Sequence, residues 1–334
     1  MAFQGGGRAT AYDVGLWSIE ALMALLKEDA LAGTGGYTKS KERGFRKLAM
    51  SFWDRPKDGT IYGSSDLNVL KTRIFQNAVK EKFGVRPTIG QLMGRALAEG
   101  LKRAPEGNAK IIWGQAYLKE SIDVYYQVDV EDGKDLSGVV VPDVGGKTCV
   151  DVARELRDRA DKLRKGKDIQ YEKTQKGLLP KLPSWMLRPI LWGLTFLEYN
   201  LGITATWAGA KPEPFGTVMV TNVSSFQVDQ AYAPLVPVSR VPLIVLIGQV
   251  TDQPWVVDRK LCVRPVVNGS ATIDHRIMDG NKIGRLIRVI KDYMQNPYPY
   301  ETELGLEDPW PGIDPPADHV AASYPEGFEP GDSF

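Results

Sequence analysis

The sequence predicts an α/β fold in which amphipathic helices lie on a sheet. Apolar residues recur at the helical period through 66–104, 148–167 and 280–294, and β-like runs at 121–130, 138–144, 215–226, 240–250 and 260–273 fall between those stretches. Length and composition agree. A chain of 334 residues, 43% hydrophobic and 25% charged, suffices for one large domain or two small ones with a sizeable core.

Charge is distributed unevenly. The formal net charge is +1, yet nine acidic residues and no Lys or Arg stand from Pro297 to the end, which leaves +10 on the remainder. That asymmetry suits an anionic small molecule or an acidic partner, and equally a solvated surface; nucleic-acid binding is not indicated. Cys149 and Cys262 lie far apart, with no CxxC and no neighbouring His, so the thiols are expected to be reduced and buried, with no metal site or disulfide and a cytoplasmic setting. Residues 14–26, VGLWSIEALMALL, resemble the core of a secretion signal, but Glu20 inside the run and a single upstream Arg8 argue against export. No uncharged apolar run approaches the ~18 to 20 residues that span a bilayer, so no transmembrane segment is expected.

In chain order, residues 1–42 read as an N-terminal arm with one helix, capped by Asp13, carrying Leu16, Ile19, Met23 and Leu26 on one face and ended by Gly33–Gly36. The main body spans 43–296. Its first helix is expected to be capped at Ser65 or Asp66, with Leu67, Leu70, Ile74, Ala78 and Val79 at helical spacing. A second follows through Ile89, Leu92, Met93, Ala96, Leu97 and Leu101, with Gly94 as a point of close packing. Strands at 121–130 and 138–144 flank a loop at Asp132–Gly133, and the 148–167 helix shows a charged, solvated outer face.

Residues 176–212 form an insertion dense in Leu, Trp and Pro. Its uncharged stretches, Pro189–Leu197 among them, are too short to span a membrane, so it reads as a helical excursion that packs on the body, on a neighbouring subunit or on a membrane surface. The strand at 215–226 ends in a polar turn, 240–250 is a buried strand, a hairpin runs through Asp252–Arg259, and 260–273 leads to ATIDHRIMDG. Asp279 or Gly280 opens the last helix, whose apolar stripe is Ile283, Leu286, Ile287, Ile290 and Met294. The acidic tail, 297–334, has eight prolines and no periodicity, and reads as disordered or as an extended docking strap. There is no internal repeat.

Only two histidines occur, His275 and His319, and the second falls in the tail. Imidazole titrates near neutrality without help, so a chain that uses it once within regular structure draws attention to that copy. A satisfied structural histidine is the plain alternative. Around His275, however, stand Asp274, Arg276 and an Asp-Gly pair at 279–280, with a strand leading in and a helix leading out. A strand-to-helix turn of that kind presents a general base at an edge rather than in a core.

DHRIMDG resembles the DHRxxDG signature of the acyltransferase (E2) catalytic domains of 2-oxo acid dehydrogenase complexes, which share the chloramphenicol acetyltransferase-like fold. Other segments agree in order: FRKLAMSFW, the helices at 66–104, SGVVVPDV, the 148–167 helix, GTVMVTN and RVPLIVLIGQV. The resemblance covers about 43–296 and implies a two-layer sandwich with a mixed central sheet. It further implies acyl transfer between coenzyme A, as an acyl-CoA substrate, and a thiol such as dihydrolipoamide, at the interface of a homotrimer.

On that resemblance His275 takes the thiol proton and Thr221, standing where the family has Ser, donates to the developing oxyanion, with Asn222 beside it. Asp279 would pair with an arginine, for which Arg46 is the candidate, while Asp274 and Arg276 shape the turn. The chain shows no lipoyl domain and no Asp-Lys-Ala lipoylation context, so a lipoyl group would come from another chain, a lipoyl-carrying or dehydrogenase-complex protein. The insertion and the tail leave higher assembly open. The rival expectation is an assembly or scaffold protein built on the same core with reduced or no catalysis.

Overall fold

The computed structural model describes residues 59–130, 135–164, 184–203, 213–237 and 239–316. The expected N-terminal helix, Arg46, the Asp132–Gly133 loop, His319 and both ends of the 176–212 insertion lie outside them.

Among the described residues the strands are β1 (Thr60–Asn68), β2 (Ala109–Ile112), β3 (Gln115–Leu118), β4 (Val124–Val130), β5 (Asp135–Val141), β6 (Val218–Asn222), β7 (Leu243–Val257) and β8 (Lys260–Asp274). The helices are α1 (Leu70–Phe83), α2 (Ile89–Arg103), α3 (Cys149–Arg164), α4 (Ser184–Leu201) and α5 (Gly280–Gln295). Six strands form one sheet in the order β1-β8-β7-β6-β4-β5; β6 runs parallel to β4 and β7, and the other pairs are antiparallel. This is the mixed central sheet the resemblance implies.

Residues Val218, Val220, Leu243, Val245, Ile247, Val267 and Ile273 share the main core with apolar side chains of α1, α2, α3 and α5. The helices therefore form one layer and the sheet the other. On the opposite face a smaller cluster of Met219, Ile244, Leu246 and Val241 is covered by Phe215 and the 231–236 segment. Gly94 marks the closest approach of helix to sheet: a Cβ there would come within 1.9 Å of the Tyr126 hydroxyl oxygen. The close packing read from the sequence at this position is borne out. α2 starts with a capping box, Thr88 accepting from the Gln91 amide while the Gln91 side chain accepts from the Thr88 amide.

The sequence reading needs correction at the start of the body. Ser65 and Asp66 do not cap a helix. They lie within β1, which pairs antiparallel with β8 from Thr60↔Asp274 to Asn68↔Val266. Side chains alternate in exposure along TIYGSSDLN, as a half-buried strand requires, and the helix begins only after Asn68 Oδ1 accepts the Leu70 amide. Leu67 fits both periods, which is why the helical stripe extended too far back.

β7 and β8 form one long hairpin joined by Asp258 and Arg259, both at positive φ (47° and 63°); the hairpin expected through 252–259 is its outer end. A bulge between Ile247 and Val250 inserts one extra residue, and a Cβ on Gly248 there would come within 1.8 Å of the Asp229 carbonyl oxygen. Beyond the bulge the arm overhangs the sheet. Its Val256, Leu261 and Val263 are exposed, whereas Cys262 and Arg264 on the other face are buried.

As far as Pro316 the tail follows the docking-strap alternative rather than disorder. Glu301, just after α5, is 2% exposed; its Oε1 accepts from Arg95 Nε at 3.0 Å and from the Tyr293 hydroxyl at 2.7 Å, and its Oε2 accepts from the Cys149 amide at 2.9 Å. Lys71, buried on α1, donates to Asp308 at 2.9 Å and to the Trp310 carbonyl at 2.7 Å. Arg264 donates to the Pro315 and Pro316 carbonyls. This stretch is integral to the core. Glu301→Gln should therefore lower unfolding stability by about 2 kcal/mol, because the buried Arg95 guanidinium loses one of its two carboxylate partners and keeps only Glu99; the urea midpoint measures it, and an unchanged midpoint would show the carboxylate to be dispensable.

Candidate active site

β8 ends at Asp274 because the chain turns there into α5, and the turn holds the residues that the sequence singled out. The His275 amide donates to the Gly59 carbonyl at 2.8 Å, so the strand pairing continues one residue past the end of β8. The Ile277 and Met278 amides then donate to the Asp274 carbonyl, which folds the backbone over. His275 is exposed and Ile277 and Met278 are buried.

His275 Nδ1 lies 2.8 Å from the Met278 carbonyl oxygen. A carbonyl only accepts, so the neutral ring carries its proton on Nδ1 and presents the Nε2 lone pair outward. That is the tautomer a base needs. The anchor is a backbone atom, which sequence reading could not have named.

Asp274 and Arg276 form a forked ion pair, Nε to Oδ1 at 2.9 Å and Nη2 to Oδ2 at 2.5 Å, and Asp274 Oδ1 also accepts the Arg276 amide at 3.0 Å. Burial acts to raise the Asp274 carboxyl, but the hydrogen bonds and charge of Arg276 outweigh it and hold the group below the usual carboxylate range. Asp279 caps α5 by accepting the Lys282 amide at 3.0 Å. That hydrogen bond, with the Lys282 and His275 charges, keeps its carboxyl ionised to lower pH than usual. An Asp279–Arg46 pair falls outside the described residues.

Thr221 sits near the end of β6, 8% exposed, and alternates with Val220 so that it faces the smaller cluster rather than the helices. Asn222 Oδ1 accepts the Ser224 amide at 2.8 Å and fixes the turn after the strand. Thr221 stands level with Leu246 on β7, and Leu246 stands level with Ser270 on β8. Asp274 is four residues further along β8 and two strands away. At ~3.3 Å per residue and ~4.8 Å per strand that places the Thr221 and Asp274 Cα atoms about 16 Å apart. Within one chain, the Thr221 hydroxyl and the His275 ring cannot meet on the same reacting carbonyl, where donors act at about 3 Å.

Neither cysteine offers a rival nucleophile. Both are buried and unpaired, and burial together with the Glu301 carboxylate pushes the Cys149 thiol up, away from the reactive thiolate.

The insertion adds a wall that the resemblance does not supply. Tyr199 of α4 is buried, with Lys110 Nζ 4.6 Å from its ring centre on β2 and the Arg240 guanidinium 5.1 Å from it. Helix α4 thus packs on the body, the first of the three placements expected for it. No described helix is long and apolar enough to cross a membrane.

The two-layer fold and the DHRIMDG turn are similar to those of acyltransferase catalytic domains of the 2-oxo acid dehydrogenase type. Residues 214–300 match the family described as 2-oxoacid dehydrogenases acyltransferase (catalytic domain). The chain is 23% identical to the lipoamide acyltransferase component of the Bacillus subtilis branched-chain alpha-keto acid dehydrogenase complex, over 79% of this chain and 54% of that one. It is 24% identical to the dihydrolipoyllysine-residue succinyltransferase component of the Rickettsia typhi 2-oxoglutarate dehydrogenase complex, over 87% of this chain and 64% of that one. It therefore spans only about half to two-thirds of these relatives. Among solved structures, the cubic core of the pyruvate dehydrogenase multienzyme complex superposes with a TM-score of 0.52 at 19% identity, covering 82% of this chain and 96% of that one. The fold is thereby shown, and residues 214–300 carry the sequence pattern of the family's catalytic domain.

Asp274 provides a test by pH. Its folded carboxyl titrates below the unfolded one, so the ion pair contributes stability at neutral pH and loses it as the solution is acidified through that lowered value. Asp274→Asn should cost about 1 kcal/mol at neutral pH, a modest figure because Arg276 is largely exposed. In acid the difference from wild type should vanish, and denaturant midpoints at the two pH values compare them. A gap that persists unchanged in acid would assign the loss to packing.

Proposed function

We propose that this chain transfers an acyl group between coenzyme A and a thiol, with dihydrolipoamide on another protein as the acceptor and His275 as the general base. One observation carries the reading: an exposed imidazole at the end of β8 whose Nδ1 is tied to the Met278 carbonyl, leaving Nε2 as the free acceptor. The names of the relatives, lipoamide acyltransferase and dihydrolipoyllysine-residue succinyltransferase, support the choice of thiol.

In the proposed step Nε2 removes the proton from the attacking thiol. The sulfur then adds to the thioester carbonyl, and the oxygen gains the negative charge. Collapse expels the other thiolate, which recovers the proton from the imidazolium. Asp274 and Arg276 hold the turn that aims the ring, and Asp279 fixes the start of α5 beside it.

Thr221 is the proposed donor to the tetrahedral oxyanion. Its separation from His275 within one chain favours a site completed by a second copy, as in a homotrimer, with the base from one subunit and the hydroxyl from its neighbour. Asn222 holds the backbone that presents that hydroxyl. The setting we assign is the cytoplasm, in company with a lipoyl-bearing protein.

The test is thiol release from an acyl-CoA panel with dihydrolipoamide. His275→Ala should lower kcat by about 10²- to 10⁴-fold, and Thr221→Val by about 10²- to 10³-fold. If wild type and His275→Ala are equally inert across the panel, the scaffold reading replaces the enzymatic one. Co-assembling the two inactive variants should restore about a quarter of wild-type activity, since random assortment rebuilds that share of symmetric interfaces. No recovery in assemblies shown to be mixed would place both groups in a single chain's site.

A further inference from the structure

A pocket of about 480 Å³ opens against the turn that carries His275. Asp274, Arg276 and Ile277, which bracket the histidine, line its floor, while the lining does not include His275 itself. One wall is Leu235, Val236 and Val241 from the segment leading into β7. The facing wall comes from two pieces remote in sequence, Trp192 and Thr195 on α4 and Trp113 in the β2–β3 turn.

These two pieces are tied together. Trp113 and Gly114 take positive φ (50° and 77°) to close the β2–β3 turn, which turns the Trp113 ring toward α4. There its Nε1 donates to the Asn200 carbonyl at 3.1 Å, and its ring meets Phe196 edge-on at 5.5 Å. Arg240 links the same elements, donating to the Ile111 carbonyl and to Asn200 Oδ1. The wall is thus a built structure, yet Trp113 and Trp192 remain 64% and 60% exposed. Indoles left open beside a cavity are favourable to cover.

The polar groups at the floor are already engaged, Arg276 with Asp274 and Arg240 with backbone and amide oxygens. The Arg276 charge is already met by Asp274, so a carboxylate gains less at the floor than an apolar group gains by covering the indoles. The volume lies in the range of pockets that bury drug-sized ligands, far beyond the needs of an acetyl group.

We infer that this pocket receives the acyl group of the thioester, and that the acyl group is neutral, apolar and bulky, aromatic or medium-chain rather than acetyl or succinyl. The inference rests on the acyl-transfer reading and narrows its substrate.

Calorimetric titration of the His275→Ala protein, with no acceptor thiol present, tests it with acetyl-, succinyl-, octanoyl- and phenylacetyl-CoA. Octanoyl- and phenylacetyl-CoA should bind at least about tenfold tighter than acetyl-CoA, as burying even a few methylenes provides. Adding Thr195→Trp, which fills the pocket from the half-exposed side of α4, should erase that gap. Trp192→Ala should narrow the gap by removing the facing ring. Equal Kd values across the panel, tightest binding for succinyl-CoA, or a gap that both substitutions leave intact would overturn the proposal. The two readings fail separately. Acetyl transfer by wild type without any binding gap would refute the pocket and keep the reaction, while a Thr195-sensitive gap in a protein that transfers no acyl group would do the reverse.

Discussion

Much of the architecture depends on one buried carboxylate. Glu301 touches Arg95 of α2, Tyr293 of α5 and the first amide of α3, so three of the four helices of the layer converge on its two oxygens. A charge in that position is tolerable because a guanidinium, a hydroxyl and a helix N-terminus surround it, and each compensates part of the desolvation. Arg95 is held on its other side by Glu99 at 2.6 Å. The same α2 lies against Tyr126 through Gly94 and against Leu286 through Gly100, so the hub that Glu301 fixes also sets where α5, and with it the His275 turn, meets the sheet.

Much of this fold was legible, for identifiable reasons. α2, α3 and α5 bury one stripe each, so their 3.6-residue period survives in the sequence. β6 and the first half of β7 are buried on both faces and read as apolar runs. β1 was misread because Leu67, Leu70 and Ile74 satisfy the helical period while the strand's own alternation uses small polar residues, Ser64, Ser65 and Asp66, that also favour caps. The stretch beyond Pro297 left disorder and a docking strap both open for another reason. Several of its ties to the body join residues far apart in sequence, such as Lys71 with Asp308 and Arg264 with Pro315, and no local pattern encodes those pairings.

The site divides along the same line. His275, Asp274, Arg276 and Asp279 were legible because the chemistry of the turn is written in consecutive residues. The Met278 carbonyl that sets the tautomer was hidden, as any backbone atom is. Thr221 was identifiable through resemblance, but its distance from His275 follows only from register: Thr221 to Leu246 to Ser270, then four residues along β8. Trp113, Arg240 and Tyr199 were missed as neighbours because two of them adopt conformations the sequence does not announce or stand at the end of an insertion; the Trp113-Gly114 dipeptide between two short runs was the available turn signal.

The extra residue at Gly248–Gln249 acts on the β7–β8 arm as a change of parity. Before it the odd-numbered residues Leu243, Val245 and Ile247 face the helices; after it the even-numbered Val250 does. Every side chain from there to the tip is turned over relative to an unbulged strand. This inversion puts Trp255 and Val257 on the covered face with Cys262 and Arg264, and turns Asp252 and Val256 outward. A one-residue deletion at the bulge would leave the strand formed but reverse its two faces, burying Asp252 and ejecting Trp255. In this arm, chain length between two glycines' worth of backbone matters more than the identity of the residues that fill it.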